Sequence, residues 1–252
     1  HTKKYLKDVK TSSMISKITE MGFLRILPSK MLVLKILKPM KYATSGTLLA
    51  LELALKYGWA INLSGGYHHA KAGSGEGFCF YSDIAIVIKE YLYHFKNKKV
   101  LIIDLDAHQG NGYAMIFKHQ KNIFIFDVYN QHAYPNDWKA KKYIDYNFPL
   151  EYGVKDKEYL TLIQKELTKV INKNKPDIIF YNAGTDIFEK DPLGGLSISQ
   201  KGIIKRDEIV FEIALKNKIP IIMALSGGYT KESHKIIGNS IVHLMRKFFM
   251  KK

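Results

Sequence analysis

The sequence contains a single cysteine, Cys79, among 252 residues. One cysteine cannot form a disulfide within the chain, which excludes a disulfide-stabilised scaffold and favours an intracellular location, in the cytoplasm or, in a eukaryote, the nucleus. The chain also lacks any apolar run near the roughly 18 residues of a membrane span. The stretch MLVLKILKPM is interrupted by Lys35 and Lys38. We therefore expect no membrane-spanning segment.

Acidic residues are few: 23 Asp and Glu stand against 39 Lys and Arg, a formal net charge of +16. Clustered positive charge would attract nucleic-acid phosphates. Here the lysines are instead spread along the chain, often on predicted helix faces and in turns such as HFKNKKV and INKNKP. No nucleic-acid-binding motif accompanies them. The composition predicts a solvated basic surface and no nucleic-acid partner.

Repeats, low-complexity tracts and flexible linkers are absent, and 46% hydrophobic residues can fill one substantial core. Short apolar runs alternate with amphipathic segments, which predicts a single α/β domain with a mostly parallel central sheet and helices on both faces. The predicted strands are 59–63, 99–104, 122–128, 177–182 and 220–225. The predicted helices are 47–57, 79–94, 112–118, 156–174, 200–217 and 231–249.

Chemically versatile side chains follow four of these strands directly. In chain order they are His68, His69, Asp106, His108, Asp186 and Tyr229. An isolated Asp-x-His has a plain structural explanation, in which the aspartate ends the strand and the histidine makes a local hydrogen bond. Four strand ends meeting at one edge of a parallel sheet favour a site instead, because such sheets bind ligands beyond the carboxyl ends of their strands.

The residue types at this edge match those of a hydrolytic metal site. Asp106, His108 and Asp186 would give a divalent ion three N/O ligands and leave one position open, as catalytic zinc sites do. The tandem histidines after the first strand could transfer protons, and Tyr229 could donate a hydrogen bond to a developing oxyanion. Asp104, two residues before the first ligand, could orient an imidazole.

Four separated motifs occur in order along the chain: GGYHHA…GEGFCFYSDIA, IIDLDAHQGNG, YNAGTD…DPLGGLSIS and SGGY. Together they resemble the zinc-dependent histone deacetylase superfamily, which has the arginase–deacetylase fold. DAHQGNG, DVYNQHAYP, YNAGTDI and LGGLSISQKGIIKRDE are most similar to its class IV branch. The resemblance runs from His1 to about residue 245 and implies one catalytic domain over 1–252, a three-layer sandwich. HTKKYL resembles a segment inside the family domain, so we expect its first strand and helices to be missing from this sequence.

The resemblance also implies a role for each matching residue. Zinc would be held by Asp106, His108 and Asp186. His69 matches the general base that activates water, and His68 matches its electrostatic partner, held by Asp104. Tyr229 matches the tyrosine that polarises the carbonyl. Where many members orient the second histidine with an aspartate, this chain has Asn111, so we expect a lower pKa for His69 than in those relatives.

Substrate and cation positions follow from the same resemblance. The acyl-lysine tunnel would have aromatic walls at Phe78 and Tyr134, with the backbone of Gly77 near the substrate amide. A structural monovalent cation, usually potassium, would lie beside Asp104, Asp127 and Val128. The loop GSGEG (73–77) does not fit a dinucleotide fingerprint, because no strand enters it directly, and it is predicted to be an active-site loop. Cys79 is predicted to be a packing residue.

These features predict a zinc-dependent amidohydrolase that removes acetyl or long-chain fatty acyl groups from lysine side chains of a protein or peptide. One alternative is a small-molecule deacylase acting on acylated polyamines, because a fold does not set its substrate. Another is a catalytically silent binding module, against which the intact set of catalytic residues argues. The sequence carries no signal for an oligomeric state.

A stretch without acidic residues suggests which length of acyl chain is removed. No Asp or Glu occurs between Glu20 and Glu52, where many relatives have an acidic rim residue, and FLRILPSKMLVLKILKPM stands there. Like charges would disfavour strongly basic peptides. An apolar lining could instead bury acyl methylenes, each worth roughly 0.8 kcal/mol, and class IV relatives are associated with long-chain fatty-acyl lysine. We expect myristoyl-lysine to be preferred; the alternative is that residues 23–37 pack in the core and only acetyl fits.

Overall fold

A computed structural model of the chain describes residue 31 and residues 33–250. Its strands are β1 (Trp59–Asn62), β2 (Val100–Asp104), β3 (Ile123–Asn130), β4 (Tyr146–Leu150), β5 (Ile178–Asn182) and β6 (Ile221–Ala224). They form one sheet in the order β1-β6-β5-β2-β3-β4, and every neighbouring pair is parallel. The predicted α/β class with a parallel central sheet is confirmed.

Within the described ranges, seven α-helices surround this sheet. They are α1 (Lys38–Tyr57), α2 (Asp83–His94), α3 (Asn111–Phe117), α4 (Trp138–Lys141), α5 (Asp156–Asn174), α6 (Gln200–Lys216) and α7 (Ser233–Leu244). Two π-helical turns, Val33–Leu37 and Met245–Phe249, adjoin the first and last of them. None of these helices is both long and apolar enough to cross a bilayer.

Helices cover both faces of the sheet. Val100 and Ile102 of β2 point into a core shared with α1, α2 and α3, whereas Leu101 and Ile103 point into a core shared with α5, α6 and α7. All four side chains are fully buried. A strand covered on both faces is apolar at consecutive positions, which explains why the sequence of β2 is continuously hydrophobic. The molecule is the three-layer sandwich that the sequence predicted.

The structure differs most from the predicted elements in three places. Strand β4 was not predicted, because its sequence YNFPL is partly exposed and includes Pro149, which is tolerated only on an edge strand. Helix α1 begins at Lys38 rather than at residue 47, with a proline in its first turn, where no backbone donor is needed. Helix α2 begins at Asp83 rather than at residue 79.

Candidate active site

The four strands whose ends carry the predicted residues lie side by side in the sheet. β1, β6, β5 and β2 are consecutive in the strand order, and all are parallel, so the loops that follow them emerge at one edge. The non-sequential order explains how residues more than 100 positions apart in the sequence come within hydrogen-bonding distance: Ser226 Oγ donates to Asp106 Oδ2 at 2.7 Å.

Three buried side chains form a compact ligand set at this edge. One ligand atom each from Asp106, His108 and Asp186 lies within 4.8 Å of the others. His108 Nδ1 is 3.0 Å from both Asp106 Oδ1 and Asp186 Oδ2. Burial, together with the charge of Asp106, raises the pKa of Asp186 to about 7, which reflects crowded negative charge. Two carboxylates and an imidazole in this arrangement fit a divalent cation such as zinc.

The backbone of two neighbouring loops holds the carboxylates in place. Gly227 N donates to Asp106 Oδ2 at 2.9 Å, and Ala107 N donates to Asp186 Oδ1 at 2.9 Å. A Cβ on Gly227 would lie 2.2 Å from Asp186 Oδ2, so a side chain there would displace the carboxylate. Such contacts orient ligands in metal sites. The SGGY motif therefore contributes a backbone donor and a glycine that lets the carboxylates lie close to the loop, in addition to its tyrosine.

The tandem histidines have different partners and different electrostatics. His68 Nδ1 lies 2.8 Å from Asp104 Oδ2, and His69 Nδ1 lies 2.8 Å from Asn111 Oδ1. Burial lowers the pKa of His68, but the charges of Asp104 and Asp106 outweigh it and raise the pKa to about 9. Burial and the neighbouring His68 hold the pKa of His69 well below its usual value. The pair thus combines a cationic imidazole with a neutral one that can accept a proton.

A cavity of about 350 Å³ leads from the surface to the ligand set and is here called the tunnel. Its lining residues are His69, Gly77, Phe78, His108, Tyr134, Leu193 and Tyr229. Phe78 and Tyr134 are about half exposed at its mouth. Gly77 has a φ of +53°, and a Cβ there would lie 2.2 Å from His69 Cδ2, so only glycine allows this wall to approach the histidine. Leu193 is a lining residue that the sequence analysis missed.

The ring of Tyr229 lies beside the ligand set, and a neighbouring carboxylate holds its backbone. Its ring centroid lies 6.3 Å from those of His108 and Phe78. Its backbone N donates to Asp191 Oδ2 at 2.7 Å. Burial raises the pKa of the Tyr229 phenol, and the charge of Asp106 raises it further, so the hydroxyl keeps its proton and remains a donor.

A second cavity, of about 240 Å³, shares His69, Gly77, Phe78 and Tyr229 with the tunnel and is here called the adjoining cavity. Met40, Cys79 and several glycines line it. Cys79 is buried, and burial raises the pKa of its thiol, which disfavours the nucleophilic thiolate. The predicted packing role of Cys79 is consistent with this environment.

The three positions predicted for a monovalent cation come together beneath the site. Asp104 and Asp127 are opposite each other in the β2–β3 register, Val128 follows on β3, and all three are fully buried. Gly110 N donates to Asp127 Oδ2 at 2.9 Å, but no described residue donates to Asp127 Oδ1. Burial and the charge of Asp104 raise the pKa of Asp127 well above its usual value. A buried carboxylate oxygen without a donor fits a bound cation.

A buried arginine that the sequence analysis did not single out ties the two ligand-bearing strand ends together. The Arg206 guanidinium donates to the carbonyl oxygens of Leu105 at 3.1 Å, Ala183 at 3.2 Å and Gly184 at 2.5 Å. It also pairs with Asp207 at 2.9 Å and is completely buried. Its motif, GIIKRDE, looks like an ordinary charged helix face, so only three-dimensional packing reveals the contact.

Comparisons with known proteins support the family that the sequence motifs resemble. Residues 1–245 match the histone deacetylase domain. The chain is 40% identical over 247 residues to Histone deacetylase 2 of Arabidopsis thaliana, covering 98% of this chain and 64% of that protein. It therefore spans less than two thirds of the length of that relative. A crystal structure of an HDAC homologue from Aquifex aeolicus aligns with a TM-score of 0.76 at 25% identity, over 96% of this chain and 69% of that one. An HDAC homologue complexed with SAHA aligns with a TM-score of 0.69 at 28% identity, over 80% and 55%.

Proposed function

Because this chain belongs to the histone deacetylase family, we propose that it is a zinc-dependent hydrolase that removes acyl groups from lysine side chains of proteins or peptides. One observation carries the proposal: the buried set of Asp106, His108 and Asp186 adjoins, through His108, a tunnel whose wall includes His69 and Tyr229. A passage with aromatic walls suits a long, thin acyl-lysine side chain. The class IV branch is our proposal for its subgroup.

The residues around the ligand set divide the chemistry among them. A divalent ion bound there supplies Lewis-acid activation of the amide carbonyl and of water. His69 Nε2 accepts a proton as the water oxygen bonds to the carbonyl carbon, and Tyr229 donates a hydrogen bond to the developing oxyanion. His68, held cationic by Asp104, stabilises negative charge. The C–N bond then breaks, the lysine nitrogen takes up a proton, and a carboxylic acid leaves.

We also propose potassium as a structural cation beside Asp104, Asp127 and Val128. The donor-free Asp127 Oδ1 supports this assignment, since a monovalent cation would offset the two buried carboxylates. Because Asp104 also holds His68, a cation beneath it would link this position to the proton-transfer pair.

The substrate class is tested by comparing an acetyl-lysine peptide with a free acetylated polyamine. We expect the peptide to have the higher kcat/KM, by about tenfold or more, because a chain of charge +16 repels a polycation. Both substrates are assayed with wild-type protein and with the Asp186→Ala variant, whose rate serves as the background rate. A higher kcat/KM for the polyamine would favour the small-molecule deacylase. Rates no higher than the background on both substrates would favour the silent binding module.

The acyl-chain preference is a separate prediction. Val33 and Leu34 are 49% and 48% exposed, so this part of the apolar segment 23–40 is available at the surface, whereas Leu37 is buried. Residues 23–30 and 32 lie outside the described residues. The adjoining cavity, partly apolar, offers further space next to the tunnel. We propose that burial of acyl methylenes, each worth about 0.8 kcal/mol, favours long chains.

The measurement is kcat/KM for a myristoyl-lysine peptide and an acetyl-lysine peptide of identical sequence. We expect the myristoyl substrate to be hydrolysed with the higher kcat/KM. A preference for acetyl would refute the long-chain proposal and leave the deacylase proposal intact, since the two depend on different parts of the cavity.

A further inference from the structure

His69 contacts the side-chain amide of Asn111, which has an acceptor oxygen on one side and a donor NH₂ group on the other. Asn111 Oδ1 lies 2.8 Å from His69 Nδ1, and Asn111 Nδ2 lies 2.5 Å from Glu76 Oε1. His69 and Asn111 are buried, and the Glu76 side chain is 13% exposed. A carboxylate at position 111 would present an acceptor to both neighbours, whereas Asn111 must place its oxygen on one side and its NH₂ group on the other.

A small ionic cluster on the far side of Asn111 determines which end faces which neighbour. Lys71 Nζ lies 3.1 Å from Glu76 Oε2 and 3.0 Å from Asp137 Oδ2. Asp137 Oδ2 also lies 3.4 Å from Asn111 Nδ2, at the limit of a hydrogen bond. The two carboxylates accept hydrogen bonds and do not donate them, so the stable arrangement turns the Asn111 NH₂ group toward them.

We propose that Glu76, held in place by Lys71, is a positioning residue that orients the Asn111 amide and thereby sets the tautomer of His69. With Oδ1 of Asn111 facing it, His69 Nδ1 carries the proton and Nε2 keeps a lone pair for the water molecule. A flipped amide would donate to Nδ1, move the proton to Nε2 and block proton acceptance. Only the kinetic consequence of this inference rests on the proposed function.

The expected effect of Glu76 on kcat follows from the strength of this hydrogen bond. A hydrogen bond to a charged acceptor biases the amide orientation by about 10- to 100-fold. Glu76→Leu removes the nearer of the two acceptors and leaves Asp137 Oδ2 at the limit of a hydrogen bond. We therefore expect kcat to fall about tenfold or more, while KM changes by about twofold or less. Glu76→Gln keeps a neutral acceptor and should fall between Glu76→Leu and wild type. Glu212→Gln removes a partly exposed carboxylate on α6 that also pairs with a lysine, and it serves as the matched control.

An Asn111→Asp background separates positioning from a general structural role. A carboxylate at this position has no donor end to orient, and Glu76 becomes a like-charged neighbour. Glu76→Leu should therefore leave kcat unchanged or raise it in that background, although it lowers kcat in the natural one. An equal loss of kcat in both backgrounds would overturn the proposal. The Tyr134 phenol also hydrogen-bonds to the Glu76 side chain. A loss confined to KM would therefore also overturn the proposal, because Glu76 would then act through this residue of the tunnel wall.

The tautomer itself can be observed without any substrate. In ¹⁵N-histidine-labelled, metal-loaded protein, we expect the His69 ring to be protonated at Nδ1 in wild type and to shift toward Nε2 protonation in Glu76→Leu. An unchanged His69 tautomer in that variant contradicts the inference whatever the kinetics show. If wild-type protein hydrolyses no acyl-lysine substrate, the proposed function fails, and the ring nitrogen spectrum still decides the role of Glu76.

Discussion

Replacing Asp186 with alanine should remove the bound metal and lower kcat/KM by about 10³-fold or more, since several kcal/mol of transition-state stabilisation are lost. Asp106 and His108 alone would remain, and two protein ligands hold a divalent ion weakly. The variant also removes the acceptor of the Ala107 backbone donor, so the loop that carries both remaining ligands loses an anchor. Metal content per chain and kcat/KM are measured on the same preparation.

Asp177→Asn is the matched control for this variant. Asp177 directly precedes β5 at the opposite end of the strand from Asp186, and its carboxylate is paired with Lys98 at 2.8 Å. Metal content and kcat/KM should stay at wild-type values in the control. If Asp186→Ala keeps its metal and its activity, the catalytic ion must be held elsewhere and the ligand assignment is wrong.

The second large effect is expected for His69→Ala. Loss of the general base should lower kcat by about 10²–10⁴-fold. KM should change far less, because the alanine deletes a group that acts mainly in the transition state. Burial and His68 hold the pKa of His69 low, so the wild-type ring is neutral near pH 7 and has a lone pair for the proton. Steady-state kinetics with an acyl-lysine peptide measures both parameters.

Tyr229→Phe provides the companion measurement, because it keeps the ring and deletes only the hydroxyl. Loss of one oxyanion donor should lower kcat by about 10²–10³-fold. Near-wild-type rates in both variants would mean that other residues transfer the proton and stabilise the oxyanion. A rise in KM without a fall in kcat would instead assign the two side chains to substrate binding.

The parts of this molecule that were predictable are those that one segment of sequence encodes by itself. The apolar run of β2 predicts a strand covered on both faces, and Asp106 and His108 directly after it predict polar groups at the sheet edge. Parallel topology then brings Asp186 and Tyr229 to the same edge without further information. Strand β4 escaped prediction because an edge strand can be polar and can contain Pro149.

The contacts that could not be predicted join distant segments by packing alone. From the sequence, Arg206 looks like a solvent-exposed helix residue. Its burial against the carbonyl groups after β2 and β5 depends on how α6 packs against the sheet. Glu76 looks like part of a flexible glycine-rich loop. Its contact with Asn111, 35 positions away, becomes visible only when the loop is placed beside α3.

The most direct test of the account is the hydrolysis of an acetyl-lysine peptide by wild-type protein before and after metal removal. A chelator strips the protein, metal content is verified, and zinc is then added in steps while the deacetylated peptide is measured. The account predicts that the stripped protein is inactive and that activity returns in proportion to zinc, up to one ion per ligand set. Full activity in verified metal-free protein would contradict it.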